Sequence, residues 1–208
     1  NIYVETCPQY LVLDDKKYEL PNKEGLKYIM SPPLRDKVNQ EPLWRAVREG
    51  DIQVIATDHC PFLFEKEKLP MGKDDFTKCP NGAPGVETRM PVIFSEGVMK
   101  GRISINKFVE VTSTNPAKIY GMYPQKGTIA VGSDADIVII DKNKEVTITK
   151  SMLHENVDYT PYEGIKVKGY PVLTIVRGKV AVRNNEFIGE EGYGKFINRY
   201  KNDELVVF

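Results

Sequence analysis

The sequence is poor in the residues that build metal centres and disulfide frameworks. It contains only two histidines, His59 and His154, and three cysteines without CxxC spacing, Cys7, Cys60 and Cys79. An odd number of cysteines at such spacings argues against a disulfide framework and a cysteine-based zinc site. A hydrolytic zinc site needs about three protein ligands and an open position for water. Two histidines in separate parts of the chain cannot supply that set.

An excess of charge and long apolar runs are also absent. Lysine plus arginine and aspartate plus glutamate both total 29, so no general electrostatic field attracts nucleic acid. The longest apolar runs, such as Ile137 to Ile140, are far shorter than the ~20 residues that span a bilayer. The composition, 41% hydrophobic over 208 residues, is that of a globular protein. We therefore expect a cytoplasmic protein that binds no nucleic acid and no membrane, and that can act on a small neutral substrate.

The apolar pattern predicts strand, helix and strand in the first part of the chain. Residues 1–6 indicate a short buried strand, Asn39 to Glu49 a helix stopped by Gly50, and residues 51–57 a second strand. This order suggests parallel βα units. The strand pattern begins at the first residue itself, so we expect this chain to be a segment of a longer protein.

A long loop and two helices are predicted next. Residues 61–88 are polar and rich in glycine and proline, and loops longer than about 12 to 15 residues are usually functional or disordered. Helical spacing recurs over 90–98 and 105–111, and the second helix is predicted to extend past Asn115 and Pro116.

Short alternating segments then predict a small β domain. Strands are expected at 128–131, 135–140 and 145–148, and a hairpin at 172–176 and 179–182 that turns at Arg177-Gly178. Residues 189–208, first rich in glycine and then charged, indicate a tail that lies on another surface.

Asp58 is the strongest local candidate for chemistry. It follows the predicted strand 51–57, and active sites in α/β barrels and open α/β sheets lie at the C-terminal ends of strands. An aspartate there can bind a divalent cation or act as a general base toward a metal-bound water. The alternative is a turn or helix-capping aspartate, and spacing alone leaves both interpretations open.

The histidines support weaker hypotheses. His59 follows Asp58 directly, but consecutive side chains on an extended backbone point to opposite sides. A structural role is therefore favoured over metal binding, although a metal ligand remains an alternative. His154 lies in a polar turn, where a solvated side chain is expected.

The cysteines and the turn-rich part of the loop also offer candidate sites. Cys60 and Cys79 each adjoin a proline, and neither has a histidine placed to activate it, which argues against a cysteine nucleophile. The turns at Asn81-Gly82 and Pro84-Gly85 expose amide groups that could bind a polar ligand. A plain surface loop is the alternative.

Seven segments resemble, in the same order, dihydropyrimidinases and bacterial hydantoinases of the amidohydrolase superfamily. They are ETCPQYL at 5–11, SPPLR at 31–35, TDHCPF at 57–62, DFTKCPNG at 75–82, TSTNPAK at 112–118, KGTIAVGSDAD at 126–136 and GYGKFI at 192–197. The 126–136 string is shared across the superfamily. The 75–82 string is the more diagnostic one, and it indicates the dihydropyrimidinase and D-hydantoinase branch.

The resemblance implies an α/β fold, the C-terminal part of a (β/α)8 TIM-type barrel followed by strands of a small β-sandwich domain. Residues 1–125 would form the last barrel strands and helices, 126–188 the sandwich strands, and 189–208 a C-terminal tail with a possible inter-subunit contact. The family is commonly tetrameric, so a homotetramer is expected.

The resemblance also implies a site with two divalent metal ions, usually zinc, bridged by a carboxylated lysine. Asp58 would ligate one metal and carry a proton from the bridging hydroxide to the leaving nitrogen. Ser31 and Asn81 match residues that bind the cyclic imide substrate, largely through main-chain atoms. The family's other metal ligands precede the region matched here, so this chain would contribute only Asp58.

The predicted function is therefore metal-dependent hydrolysis of a C–N bond in dihydropyrimidine or hydantoin rings by the full-length protein. The segment alone is expected to be metal-free and inactive. An allantoinase-like ureide hydrolase is one alternative, and a non-catalytic dihydropyrimidinase-like scaffold protein is another. Asp58, kept within a TDHCP string, argues for the enzyme, and a His-x-His pair upstream would decide the question.

Overall fold

The first part of the fold is a short parallel pair of strands with helices packed around it. The computed structural model describes residues 2–200. Its first elements are β1 (Glu5–Thr6), α1 (Pro8–Val12), α2 (Gln40–Glu49) and β2 (Val54–Ile55). β1 and β2 pair in parallel, with Glu5 opposite Val54. Helix α2 ends at Gly50, whose φ of 92° lies in the left-handed region that favours glycine. The predicted order of strand, helix and strand is confirmed.

The first strand is shorter and more exposed than predicted. The side chain of Ile2 is 89% exposed, and Tyr3 and Val4 are also exposed, so the prediction of a buried strand over residues 1–6 is wrong. Within residues 2–200, β1 pairs with β2 alone, which leaves its second edge open. The apolar composition predicted burial, but no other strand among residues 2–200 covers these side chains.

The predicted long loop contains regular helical turns. A π-helical turn at Phe64–Lys68 leads into α3 (Leu69–Gly72), and a 3-10 turn occupies Phe76–Lys78. The carboxylate of Asp158 accepts hydrogen bonds from the backbone N–H groups of Phe64 and Glu65 at 2.7 and 3.0 Å. The prediction of a long loop over 61–88 is therefore wrong at these turns, because a residue far along the chain caps the first of them.

Two longer helical segments follow, as predicted. The first comprises α4 (Arg89–Ile93) and a π-helical continuation at Phe94–Met99. The second comprises α5 (Ile105–Val109), a π-helical stretch at Glu110–Thr114 and α6 (Asn115–Ile119). Proline at the start of α6 is compatible with helix, so the predicted extension past Asn115 and Pro116 is confirmed. Apolar side chains of these segments pack on Trp44 and Val47 of α2.

An antiparallel sheet forms the last part of the fold. Its strands are β3 (Ile137–Thr147), β4 (Lys166–Val176), β5 (Lys179–Arg183) and β6 (Glu186–Phe187), in that spatial order. The hairpin turn at Arg177 and Gly178 is confirmed, with φ values of 44° and 82° that match the favoured two-residue turns. The strands predicted at 135–140 and 145–148 form one bulged strand, β3. The strand predicted at 128–131 is absent; Ile129 lies in irregular chain and Val131 in a turn, and both are exposed.

One hydrophobic core joins the two parts. Tyr162 and Val167 pack with residues of the first part that include Leu13, Tyr28 and Val92. This shared core holds the segment before β4 against the loop that follows β2. The described chain is therefore a mixed α/β structure. Over residues 2–200, no helix is both long and apolar enough to cross a membrane.

The beginning of the predicted tail lies on the hairpin. The Tyr193 hydroxyl donates to the Arg177 carbonyl at 3.2 Å, and the Arg177 guanidinium lies 4.3 Å from the centre of the Tyr193 ring. Lys179 pairs with Glu190 at 2.8 Å. The remainder of the tail, 201–208, lies outside the described residues, and its contact with another subunit stays a prediction.

Candidate active site

Asp58 lies just beyond the C-terminal end of β2, where the sequence predicted it. Its φ of 49° is in the left-handed region, which non-glycine residues seldom adopt and aspartate adopts more readily than most. The side chain is exposed and, among the described residues, its carboxylate makes no hydrogen bond or ion pair. A helix-capping role is thus not observed, and the carboxylate is available to a ligand.

A cavity of about 630 Å³ lies beside Asp58. Its lining includes Thr6 and Cys7 at the end of β1, together with Tyr10, Pro32 and Asp58. The Tyr10 hydroxyl donates to the Pro32 carbonyl at 2.9 Å, which ties α1 to the segment that carries Ser31. The ends of the two parallel strands therefore open into one concave surface, as expected for ligand sites in parallel α/β structures.

Burial keeps two of the side chains that line this cavity, Cys7 and Tyr10, neutral. It raises the pKa of the Cys7 thiol to about 12, and the negative charges of Glu5 and Asp58 act in the same direction. It also raises the pKa of Tyr10 to about 12, again with a contribution from Asp58. Cys7 is consequently not a thiolate at neutral pH, and Tyr10 keeps its proton.

The backbone before Asp58 is held by two buried side chains, Gln9 and Tyr162, and by the partly buried Arg89. The Gln9 amide donates to the Thr57 carbonyl at 3.2 Å, and the Tyr162 hydroxyl donates to Gln9 Oε1 at 3.3 Å. Arg89 donates to the carbonyl of Ile55, the last residue of β2, at 2.9 Å. Sequence reasoning did not single out Gln9, Tyr162 or Arg89 as site residues. No local pattern distinguishes them, since their roles depend on contacts between distant segments.

His59 has a structural role. Its Nδ1 accepts hydrogen bonds from the backbone N–H groups of Gly85 and Val86 at 3.1 and 3.3 Å. Glu155 Oε1 lies 3.9 Å from the same nitrogen. The His59 side chain therefore links its own backbone segment, next to Asp58, to the segment at Pro84-Gly85. This agrees with the structural role that the sequence favoured.

His154 is half-exposed, as expected for a polar turn, and it also has a partner. Its Nδ1 lies 2.7 Å from Glu87 Oε1, and its backbone N–H donates to Glu87 Oε2 at 2.7 Å. The pairing joins the turn before β4 to the segment before α4. His154 therefore links two separate segments of the fold.

Ser31 and Asn81 are brought together, although Asp58 is hydrogen-bonded to neither. Ser31 Oγ donates to Asn81 Oδ1 at 3.2 Å, and both side chains are exposed. One residue further on, the Gly82 N–H donates to the Ile29 carbonyl at 3.0 Å. The two candidate substrate-binding residues thus belong to one rim, which we define as the segments 29–31 and 80–82.

Gly82 allows this rim to lie close to the residues after Asp58. Its φ is 151°, and an added Cβ would lie 2.4 Å from the Cys60 carbonyl oxygen. The neighbouring Cys60 N–H donates to the Ala83 carbonyl at 3.2 Å. A side chain at position 82 would therefore push the rim away from the segment that carries Asp58.

Lys68 lies behind the rim and is fully buried. Sequence reasoning missed it, because Lys68 sits in a run of charged loop residues that predicts a solvated side chain. Burial lowers the pKa of its amine to about 8, while the nearby Cys79 and Cys60 thiols act in the opposite direction. The amine is therefore mostly protonated at neutral pH.

The described residues do not complete a metal centre. Within residues 2–200, no group of three or more histidine, cysteine, aspartate or glutamate side chains is placed to hold a metal ion. Among the described residues, Asp58 offers a carboxylate without a hydrogen bond or ion pair just beyond the end of β2.

Comparison with known proteins identifies the family. The sequence pattern of the Amidohydrolase family matches residues 16–181. The chain belongs to the amidohydrolase family. This amidohydrolase chain is 50% identical over 206 residues to D-hydantoinase of Geobacillus stearothermophilus, covering 99% of the chain and 44% of that protein. It is 48% identical over 198 residues to D-phenylhydantoinase of Escherichia coli O1:K1 / APEC, covering 95% and 42%.

The fold agrees with solved structures of the same amidohydrolase branch. The crystal structure of dihydropyrimidinase from Brevibacillus agri NCHU1002 matches with a TM-score of 0.93 and 54% sequence identity, over 96% of this chain and 43% of that one. The predicted resemblance to dihydropyrimidinases and D-hydantoinases is confirmed. The chain spans 42 to 44% of the length of the two hydantoinases compared above.

Proposed function

We propose that the whole protein hydrolyses the amide C–N bond of a cyclic amide, a dihydropyrimidine or hydantoin ring, with the aid of divalent metal ions. The observation that carries this proposal is the match to D-hydantoinase and dihydropyrimidinase over 99% and 96% of the chain. The matched region includes both segments of the rim and Asp58. The cytoplasm suits such an enzyme, since its three cysteines are free thiols.

The proposed architecture is a (β/α)8 barrel with a β-sandwich domain, assembled as a homotetramer. Residues 1–125 would form the last barrel strands and helices, 126–188 sandwich strands, and 189–208 the tail. The open edge of β1 and the exposed side chain of Ile2 support this assignment, because a preceding barrel strand would cover both.

Asp58 is the proposed catalytic residue and one of the metal ligands. Its carboxylate lies on the cavity wall without a partner among the described residues, so it can hold a proton and pass it to the leaving nitrogen. When bound, two metal ions, proposed to be zinc, would lower the pKa of the attacking water and polarise the amide carbonyl. The remaining ligands would come from the rest of the protein.

Ser31 and Asn81 are the proposed substrate-binding residues. A cyclic imide carries alternating N–H and C=O groups along one edge, which main-chain groups of a rim can match. The hydrogen bond between Ser31 and Asn81 supports the assignment, because it fixes the two segments relative to each other. Such positioning determines how well a rigid ring is oriented for attack.

Turnover by the purified full-length protein tests the proposal. Hydantoin, dihydrouracil and allantoin are supplied separately with added zinc, and ring opening is followed by loss of ultraviolet absorbance or by chromatography. We expect hydrolysis of hydantoin or dihydrouracil. Activity on allantoin alone would favour an allantoinase-like ureide hydrolase, and no activity on any ring would favour a non-catalytic scaffold.

A further inference from the structure

Lys68 is joined to both segments of the rim by three hydrogen bonds. Its ammonium group donates to the carbonyls of Ile29, Pro80 and Gly82 at 2.9, 3.0 and 2.7 Å. Pro80 and Gly82 are the residues on either side of Asn81, and Ile29 lies two residues before Ser31. One side chain therefore links the backbone on both sides of the proposed substrate contacts.

The chemistry of Lys68 suits this task. An ammonium group has three donors and no acceptor, so each of its protons has one carbonyl partner here. Lys68 has no exposed surface, and hydrogen bonds from a charged donor are stronger than neutral ones. A buried charge without such partners would be strongly unfavourable. The rim carbonyls and the ammonium group therefore stabilise each other.

The backbone of Lys68 is also held in place by its neighbours. Lys68 is the last residue of the π-helical turn Phe64–Lys68, and π-helical turns are often found at functional sites. Asp158 caps the start of that turn through two backbone N–H groups. The Tyr159 hydroxyl donates to the same Gly82 carbonyl at 3.5 Å.

We propose that Lys68 is a positioning residue for substrate binding, which fixes the backbone around Ser31 and Asn81 so that it can receive the edge of a cyclic amide. This inference rests on the proposed function. Lys68 lies behind the rim and touches no reacting atom. Its loss is therefore expected to act on substrate binding much more than on the chemical step or on metal content.

Kinetics of full-length variants test this role. Lys68→Met removes all three donors at similar side-chain length, whereas Lys68→Gln keeps an amide that can donate to two carbonyls. The matched control is Lys66→Met, which replaces an exposed lysine on the same turn. KM and kcat are measured with the ring that the wild type hydrolyses, together with metal content by elemental analysis and Tm.

We expect KM to rise at least about tenfold in Lys68→Met, equivalent to about 1.4 kcal/mol of lost binding, and by less in Lys68→Gln. The kcat and metal content of both variants should stay close to the wild type, and Lys66→Met should be unchanged throughout. If Lys68→Met does not fold, the KM and kcat of Lys68→Gln decide the test. An increase in its KM alone then supports the role.

Three results would overturn the inference. The first is a folded Lys68→Met with an unchanged KM, and the second is a loss of kcat or of metal without an increase in KM. The third is failure of both variants to fold, which would assign Lys68 to stability alone. A wild type that opens neither ring would refute the proposed function itself, and the binding role of Lys68 with it.

Discussion

Ser31 donates a hydrogen bond at 3.2 Å to Asn81, fifty positions further along the chain. The contact joins two segments that sequence resemblance had assigned separately to substrate binding. Behind it lies the ammonium group of Lys68, and beyond Gly82 lies the segment that carries Asp58. These relationships lead to five predictions.

Asp58→Asn in the full-length protein should keep the fold and lower turnover by about 10²- to 10⁴-fold, the usual contribution of a general acid or base. Loss of a metal ligand would add to this effect. Asp51→Asn is the control, because Asp51 is an exposed carboxylate just before the same strand. Steady-state kinetics with hydantoin or dihydrouracil provide the measurement. Near-normal turnover by Asp58→Asn would remove the residue from the mechanism.

Gly82→Ala should raise KM and lower Tm more than Gly101→Ala does. Both glycines have positive φ, 151° and 70°, and alanine in the left-handed region costs about 1–2 kcal/mol. Only at Gly82 would the new Cβ also meet backbone, at 2.4 Å from the Cys60 carbonyl oxygen, whereas the space around Gly101 is open. Thermal unfolding and KM are measured for both variants. Equal decreases in Tm with an unchanged KM would contradict the proposed closeness of the rim to Cys60.

Tyr162→Phe should lower Tm because it removes the donor that serves the buried Gln9 Oε1. A buried acceptor left without a partner costs about 1–3 kcal/mol. Tyr120→Phe is the matched control, since Tyr120 is half-exposed. Differential scanning calorimetry compares the two. The prediction fails if the two substitutions change Tm equally.

The 208-residue chain alone should bind less than stoichiometric zinc and should not hydrolyse dihydrouracil. The reason is that, within residues 2–200, no three side chains that could ligate a metal ion lie close enough together to hold one. Elemental analysis after gel filtration and a turnover assay check both statements. Stoichiometric zinc together with turnover would show that this chain holds a complete site.

The stability contributed by Lys68 should increase with pH in the alkaline range. Its pKa is lowered from 10.5 to about 8, so between these values the unfolded chain binds more protons than the folded one. The cost of burying the charge is fully present below pH 8 and disappears as the pH rises through this window.

The measurement is the difference in Tm between the wild type and Lys68→Met, which should increase from about pH 7 to about pH 10. Burial raises the pKa of the neighbouring Cys79 thiol and the Lys68 charge lowers it, so the same comparison is repeated in a Cys79→Ala background. Lys66→Met should show no such trend. A constant difference for Lys68→Met would contradict the lowered pKa.

The sequence by itself determined the features that depend on neighbouring residues. Gly50 ends α2 because glycine adopts the left-handed conformation there, and Arg177-Gly178 turns the hairpin for the same local reason. The position of Asp58 after a short parallel strand also follows from the apolar pattern. Motif strings identified the family, and the confirmed family match covers most of the chain.

Only the tertiary structure decided which side chains are buried and which segments meet. Lys68 belongs to a charged loop segment, yet it is buried, because the carbonyls of Ile29, Pro80 and Gly82 surround its ammonium group. Ile2 belongs to an apolar strand pattern, yet it is exposed, because no described strand covers it. Local periodicity reflects propensity, whereas burial depends on partners that are far away in the chain. For that reason Ser31, Asn81 and Asp58 could be proposed one by one from sequence motifs, whereas the lysine behind the rim could not.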